Sequence, residues 1–148
     1  MAEYSANAVQ TVNPGEAVVF TDSPVPCNKG LVRHRDGSGS FLLSGYTPFR
    51  CRQANYLVEF GANIAVPEGG TAGEISLSLS LDGTIVPSSR MVVTPAAAED
   101  LFNVSRAINV QVWPNCCETI SVINTSDQAI LVQNANIIIN RPDLVMTR

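Results

Sequence analysis

Charge is scarce in this sequence of 148 residues, and Lys29 is its only lysine. Charged residues make up 15% of the chain, and 9 basic against 13 acidic residues give a net charge of −4. A chain with this balance has no general attraction to nucleic acid or anionic lipid, so we expect neither as a partner. Hydrophobic residues make up 45%, which argues against disorder. The remaining polar surface is rich in Ser, Thr, Asn and Gln, and such a surface suits packing against copies of itself.

Arginine is the local exception to this scarcity. Arg33, Arg35, Arg50 and Arg52 fall within one short region and could form a basic patch. The alternative is ordinary: Asp36 and solvent would satisfy these side chains, and an exposed ion pair contributes little.

Long hydrophobic runs are also missing. No stretch approaches the roughly 20 apolar residues of a membrane span, and the start, MAEYSANAVQTVNPGE, lacks the basic and apolar regions of a secretory signal. We therefore expect no membrane span and no Sec export. If the protein works outside a cell, lysis, assembly onto a particle or a parent chain with its own leader must deliver it.

Histidine occurs once, at His34, which limits the catalytic sites that the chain could build. His34 and Asp36 lie near several serines in RHRDGSGSF, but no GxSxG motif presents a nucleophile. A cupin metal site needs several histidines and is excluded. We expect no enzyme, no catalytic residue, no metal and no cofactor, with calcium on loop oxygens near Asp36 or Asp127 as an alternative.

The four cysteines, Cys27, Cys51, Cys116 and Cys117, contain no CxxC pair, which excludes the usual zinc-ribbon and thioredoxin spacings. Thiols are the first interpretation. A disulfide, such as Cys27 to Cys51 or to the adjacent pair, is the second, and the sequence does not choose among the pairings. A soft metal bound by Cys116 and Cys117 from symmetry-related chains is the third.

Alternating apolar and polar residues are what the sequence does contain. The clearest example is GEISLSLSLDGTIVPSS, residues 73–89, where leucines and isoleucine alternate with serines. This pattern predicts a strand with one buried and one wet face, followed by a hairpin turn at Asp82-Gly83.

Short strands separated by turn signals continue through the chain, with almost no helical composition. We predict an all-β, antiparallel β-sandwich of about ten strands, a jelly roll, in a single domain spanning residues 1–148. The expected strands fall at 6–12, 17–21, 31–35, 40–44, 56–66, 73–81, 90–94, 102–113, 118–124 and 129–140.

The last of these strands contains the continuous run Ile137, Ile138 and Ile139. A continuous apolar run predicts a strand covered on both faces. Loops or another subunit must supply the second cover, so we predict these isoleucines as a trimer interface.

The arm GEISLSLSLDGTIVPSS, followed by an alanine-rich link and the closing ETISVINTS...AILVQNANIII hairpin, resembles the bacterial branch of the C1q/TNF-like jelly rolls. These are C-terminal domains of collagen-like proteins on spore surfaces, with similar modules on phage particles. The PCNKGLVRHRDGSGSFLLSG stretch is similar to uncharacterised proteins of gut spore-forming bacteria. The resemblance implies a ten-stranded sandwich, a homotrimer around a threefold axis and a role without catalysis. The sequence lacks the Gly-X-Y repeats of a collagen region.

Two functions follow as expectations. The first is a non-enzymatic structural or surface-display module, homotrimeric, on the surface of a spore or virion. The alternative is a carbohydrate- or receptor-binding module, for which exposed aromatic residues would supply a platform. The candidates for that platform are Tyr4, Tyr46, Phe49, Tyr56 and Trp113.

Overall fold

A computed structural model describes residues 1–27, 30–47 and 53–142 of the chain. These residues form twelve β-strands and one short turn of 3-10 helix, Pro87–Ser89. In this part of the chain no helix is long and apolar enough to cross a membrane. The strands are β1 (Ala2–Ala6), β2 (Gln10–Val12), β3 (Asp22–Val25), β4 (Val32–His34), β5 (Phe41–Ser44), β6 (Ala54–Ala65), β7 (Ile75–Leu81), β8 (Thr84–Ile85), β9 (Met91–Val93), β10 (Phe102–Val112), β11 (Cys117–Asn124) and β12 (Ile130–Asn140).

The strands make two antiparallel sheets that face each other across one apolar core. Sheet A has the order β10-β6-β12-β1-β3, with β2 also paired to β12. Sheet B has the order β4-β5-β11-β7-β8, with β9 also paired to β7. The predicted sandwich is confirmed, and the additional strands beyond ten are short ones.

The predicted hairpin at Asp82-Gly83 is confirmed, because Leu81 pairs with Thr84 across a two-residue turn. Asp82 and Gly83 have φ of 49° and 86°, the left-handed conformation that such turns require. The wet face predicted for β7 is wrong.

Ser76, Ser78 and Ser80 are at most 1% exposed. Each points to the outer face of sheet B, where its cross-strand neighbours include a longer apolar side chain. These neighbours are Val92, Ile123 and Ile85. A serine between taller side chains is buried even on a face that the sequence pattern assigns to solvent.

Two expectations for the first half of the chain need correction. The strand expected at 6–12 is broken into β1 and β2, and the one expected at 17–21 forms only isolated bridges at Ala17 and Phe20. A glycine inside a strand pattern, such as Gly61, is typical of a bulge, but β6 pairs with β10 without interruption through this residue. The extra residue lies opposite, in β12, where Asn134 adopts a φ of 55°.

Asn124, which is 1% exposed, joins the beginning and the end of the chain. Its amide nitrogen donates to the carbonyl oxygens of Val12 (2.8 Å) and Gln128 (2.9 Å). Its amide oxygen accepts from the backbone N–H of Ser126 at 2.8 Å. All these polar groups are paired, so Asn124 fixes the connection from β11 to β12 against β2.

Candidate functional site

The outer face of sheet A is broad and carries little charge. On β1, β6, β10 and β12 the side chains alternate between the core and this face. Glu3 and Glu59 are the only charged residues among the outward positions of these four strands. Both are cross-strand neighbours of Ile138, the half-buried residue at the centre of the face. Such a face loses less hydration on burial than a charged one.

Amide side chains on this face bond to one another across three strands. Asn103 of β10 donates to Asn63 of β6 at 3.2 Å, and Asn63 donates to Asn134 of β12 at 3.3 Å. Asn136 donates to the carboxylate of Glu3 at 2.5 Å. Because these groups are already paired within one chain, covering them removes few hydrogen bonds to water.

The predicted interface isoleucines divide between the two faces of β12. Ile137 and Ile139 are 0% and 1% exposed and belong to the core of the sandwich. Ile138 alone points to the outer face of sheet A. Sheet B thus covers the face of β12 that carries Ile137 and Ile139, whereas Ile138 lies on the opposite, half-buried face. The trimer interface stays a prediction, and of the three residues only Ile138 can contribute its side chain to it.

The cysteines are separated in the structure. Cys27 is half buried and packs against the core. Cys116 and Cys117 are exposed thiols at the start of β11, and no disulfide joins them. Cys51 lies outside the described residues, so its pairing stays a prediction. Among the residues that the structure describes, no three His, Cys, Asp or Glu side chains are grouped to hold a metal ion.

One end of the sandwich displays two aromatic side chains. Tyr46 and Trp113 are 58% and 68% exposed, on neighbouring loops. The loops are pressed together: Gly45 donates to the carbonyl oxygen of Cys116 at 2.8 Å, and a Cβ at Gly45 would lie 2.0 Å from the carbonyl oxygen of Trp113. Of the other platform candidates, Tyr4 and Tyr56 are buried and Phe49 lies outside the described residues.

Tyr56 is a buried residue whose hydroxyl group contacts the backbone at this end of the sandwich. Its hydroxyl donates to the carbonyl oxygen of Ser44 at 2.6 Å, and the guanidinium of Arg141 lies 5.0 Å from its ring centre. Burial raises the pKa of Tyr56 above its ordinary value, although Arg141 opposes the shift. Arg141 also donates to the carbonyl oxygen of Tyr46 at 2.9 Å. A neutral phenol is therefore retained as a hydrogen-bond donor under this loop.

Two carboxyl groups meet beside the same end. Burial is the largest cause that raises the pKa of Glu118, and a hydrogen bond with Asp82 and its charge add to it. Asp82 is fixed by the backbone N–H of Thr119, which donates to its carboxylate at 2.8 Å. Glu118 therefore keeps its proton to a higher pH than an isolated glutamic acid does.

His34 is used for structure. Its Nδ1 lies 3.0 Å from the carbonyl oxygen of Ser40, and its Nε2 lies 3.1 Å from that of Phe20. Its ring stacks on Phe41 with centroids 4.3 Å apart. Both ring nitrogens are engaged by backbone, so the side chain is not presented to a serine nucleophile.

The predicted basic patch is present in part. Arg33 and Arg35 lie on either side of His34 and point outward on sheet B, while Arg50 and Arg52 lie outside the described residues. Asp36, expected to satisfy them, instead accepts a hydrogen bond from Ser23 at 2.9 Å. No local sequence pattern predicts the groove that these arginines line, because its other wall comes from β5 and β11.

No protein-family model matches the sequence, and no curated protein does. Solved structures do share its fold. The globular domain of zebrafish complement 1qA is 12% identical, with a TM-score of 0.61 over 93% of this chain and 94% of that chain. The fold is the C1q/TNF jelly roll.

Two other structures agree. Eiger TNF from S. frugiperda is 12% identical, with a TM-score of 0.66 over 99% of this chain and 93% of that chain. Murine APRIL is 10% identical, with a TM-score of 0.61 over 94% and 98% of the two chains. At these identities the likeness of this jelly roll to its neighbours concerns fold alone, and it confirms the fold class that the sequence pattern predicts.

Proposed function

We propose that this jelly roll is a non-enzymatic structural or surface-display module that works as a homotrimer on a spore or virion surface. The observation that carries the proposal is the outer face of sheet A, whose amides are paired within the chain and whose centre is Ile138. A face of this size with few charges is suited to contact with another protein surface.

A second copy of the chain offers a matching surface. Leu101 and Phe102, at the start of the edge strand β10, are 51% and 41% exposed. A contact between a face and an edge is heterologous, and a heterologous contact closes into a ring when its rotation allows. The family resemblance supports a ring of three.

A role without catalysis is supported by the arrangement of the polar residues. His34 is held between two carbonyl oxygens, and the fold neighbours are C1q and TNF-family domains. The surface location is supported by the sequence resemblance to spore-surface and phage modules. Antibody labelling of intact and disrupted particles tests it, and signal only after disruption would oppose it.

Light scattering of the purified chain tests the trimer. We expect three times the mass of one chain, with and without reductant. Ile138→Lys should give monomers that stay folded, because association would strip water from the new ammonium and from the carboxylates of Glu3 and Glu59 beside it. The control is Ile123→Lys, which changes a half-buried isoleucine on the outer face of sheet B. A monomeric wild type, or equal effects of both variants, would contradict the proposed interface.

A second candidate function is saccharide binding, favoured by the exposed rings of Tyr46 and Trp113. Aromatic faces pack against the apolar faces of sugar rings. Because Trp113 is the only tryptophan, its fluorescence reports on this end of the molecule alone. A glycan array followed by fluorescence titration tests the candidate, with Trp113→Ala as the variant. Absence of binding at high protein concentration would exclude it.

A further inference from the structure

The outer face of sheet B contains a groove along β4 and β5. A depression of about 620 Å³ is lined by Arg33, Arg35, Ser38, Ser40, Leu42 and Thr119, with the ring of His34 beneath. A second depression, of about 260 Å³, shares Arg33 and Leu42 with the first and extends to Cys117. Arg33 and Leu42 border both depressions, which we name together the β4–β5 groove.

Cross-strand pairing explains the shape of the groove. Arg33 pairs with Leu42, and Leu42 pairs with Thr119, so the three side chains form one row across β4, β5 and β11. Leu42 is the apolar floor between a guanidinium and a hydroxyl group. The groove thus combines a cation, hydroxyl groups and a small apolar surface.

Both arginines are available to a ligand. Within residues 1–27, 30–47 and 53–142, neither Arg33 nor Arg35 has an ion-pair partner. Arg33 of β4 and Arg35, directly after that strand, line the same depression, and an oxyanion bound between two guanidinium groups relieves the repulsion between them. In a chain of net charge −4, this is a local site and not a general property of the surface.

The backbone beneath the arginines is rigid. His34 is held by the carbonyl oxygens of Ser40 and Phe20, and Gly37 donates to that of Phe20 at 2.7 Å. A Cβ at Gly39 would lie 2.6 Å from that of Ala17, so the tip of the β4–β5 hairpin packs closely against the preceding segment. A fixed backbone lowers the entropy lost when a ligand binds.

We propose that the β4–β5 groove binds an acidic saccharide, with Arg33 and Arg35 holding a sulfate or carboxylate group and Leu42 contacting the sugar ring. The inference deepens the saccharide-binding candidate and rests on it for the ligand class. Single-stranded nucleic acid is disfavoured, because the described lining residues include no Phe, Tyr or Trp on which bases could stack. The groove lies on the sheet opposite the proposed trimer face.

Calorimetric titration of the full chain tests the proposal with three tetrasaccharides: a sulfated one without uronate, a uronate one, and the neutral one obtained by desulfating the first. We expect the acidic sugars to bind and the desulfated one to bind at least about tenfold more weakly. Arg33→Gln and Arg35→Gln should each weaken binding about tenfold or more. Arg106→Gln, which removes the same charge from a distant exposed arginine, should leave affinity within about twofold.

Four other outcomes would contradict the proposed ligand site, and each has a different meaning. If the desulfated sugar binds as tightly as the acidic ones, and this binding is lost in Trp113→Ala but kept in Arg33→Gln, the protein binds saccharides at the Trp113 end and not in the groove. Equal losses in Arg33→Gln and Arg106→Gln would show an effect of net charge only. Inorganic sulfate that binds as tightly as the tetrasaccharide would exclude the sugar contact. A single-stranded oligonucleotide that binds more tightly at equal charge would assign the groove to nucleic acid.

Cys117 provides a second measurement that needs no saccharide. Its thiol lies in the groove with Arg33, so a dianionic aromatic disulfide should react with it faster than a neutral one in a Cys116→Ser background. Peptide mapping by mass spectrometry isolates this reaction from the other cysteines. Arg33→Gln should reduce the rate of the anionic reagent severalfold and leave that of the neutral reagent unchanged. Equal reductions for both reagents would refute a local positive potential.

Discussion

Three serines of β7 allow a test of the packing on the outer face of sheet B. Ser76, Ser78 and Ser80 are almost completely buried in the same stripe, but their hydroxyl groups differ. The oxygens of Ser76 and Ser78 lie 2.7 and 3.2 Å from that of Thr125. The Ser80 hydroxyl has no hydrogen-bond partner among the described residues. Replacing each serine with alanine should therefore give opposite results along one strand.

The magnitudes follow from the hydrogen bonds. A buried hydroxyl without a partner costs about 1–3 kcal/mol of desolvation, which Ser80→Ala removes. A small void offsets part of this gain, so we expect stabilisation by about 1 kcal/mol. Ser78→Ala loses a bond worth about 1 kcal/mol and should be destabilising by that amount. The two variants should thus differ by about 2 kcal/mol.

Urea unfolding at fixed protein concentration measures the difference, because association makes apparent stability depend on concentration. Unchanged slopes with shifted midpoints would assign the effect to stability. Thermal midpoints should differ by roughly 4–8 °C in a domain of this size. The reasoning is refuted if Ser80→Ala is destabilising by as much as Ser78→Ala, since the hydroxyl would then have a partner such as an ordered water.

Three further substitutions test single contacts. Because its pKa is raised, Glu118 contributes stability below its unfolded pKa and loses it as pH rises through the folded pKa. Glu118→Gln should thus be more stable than wild type at neutral pH, with a difference in thermal midpoint that disappears near about pH 4; a constant difference would contradict this. In Asn124→Asp the side chain can no longer donate hydrogen bonds to the carbonyl oxygens of Val12 and Gln128. Urea unfolding should show that the free energy of unfolding falls by about 2–4 kcal/mol, and an unchanged free energy would contradict this role of Asn124. Gly45→Ala should displace the loop of Trp113, lowering the thermal midpoint and changing tryptophan fluorescence, whereas Gly61→Ala, whose nearest neighbour is at 3.8 Å, should do neither.

The sequence predicts most strands because their alternation is a local property. β5, β10, β11 and β12 lie close to their expected bounds, and so does the Asp82-Gly83 turn. The incorrect predictions concern which face of a strand is buried. The exposure of Ser78 depends on Ile123, more than forty residues away in the chain, and no pattern within β7 contains that information.

The candidate sites show the same limit. Arg33 and Arg35 are visible as a basic pair, but the groove needs Thr119, which β11 brings beside β5 only in the folded chain. The continuous run 137–139 predicts cover on both faces of its strand, but sheet B covers only the face of Ile137 and Ile139, and the cover of Ile138 stays a prediction. The pairing of strands that are distant in sequence therefore determines which side chains meet on the two candidate surfaces.

The order of the strands also separates the two proposed roles. β12 lies at the centre of sheet A and β11 at the centre of sheet B, and they follow each other directly in sequence. The chain therefore crosses from one sheet to the other between them, where Asn124 fixes the connection. A contact that covers Ile138 uses the outer side of one sheet, whereas the arginine groove uses the outer side of the other. If both proposals hold, Ile138→Lys should abolish the trimer without changing the affinity of a single chain for the acidic sugar.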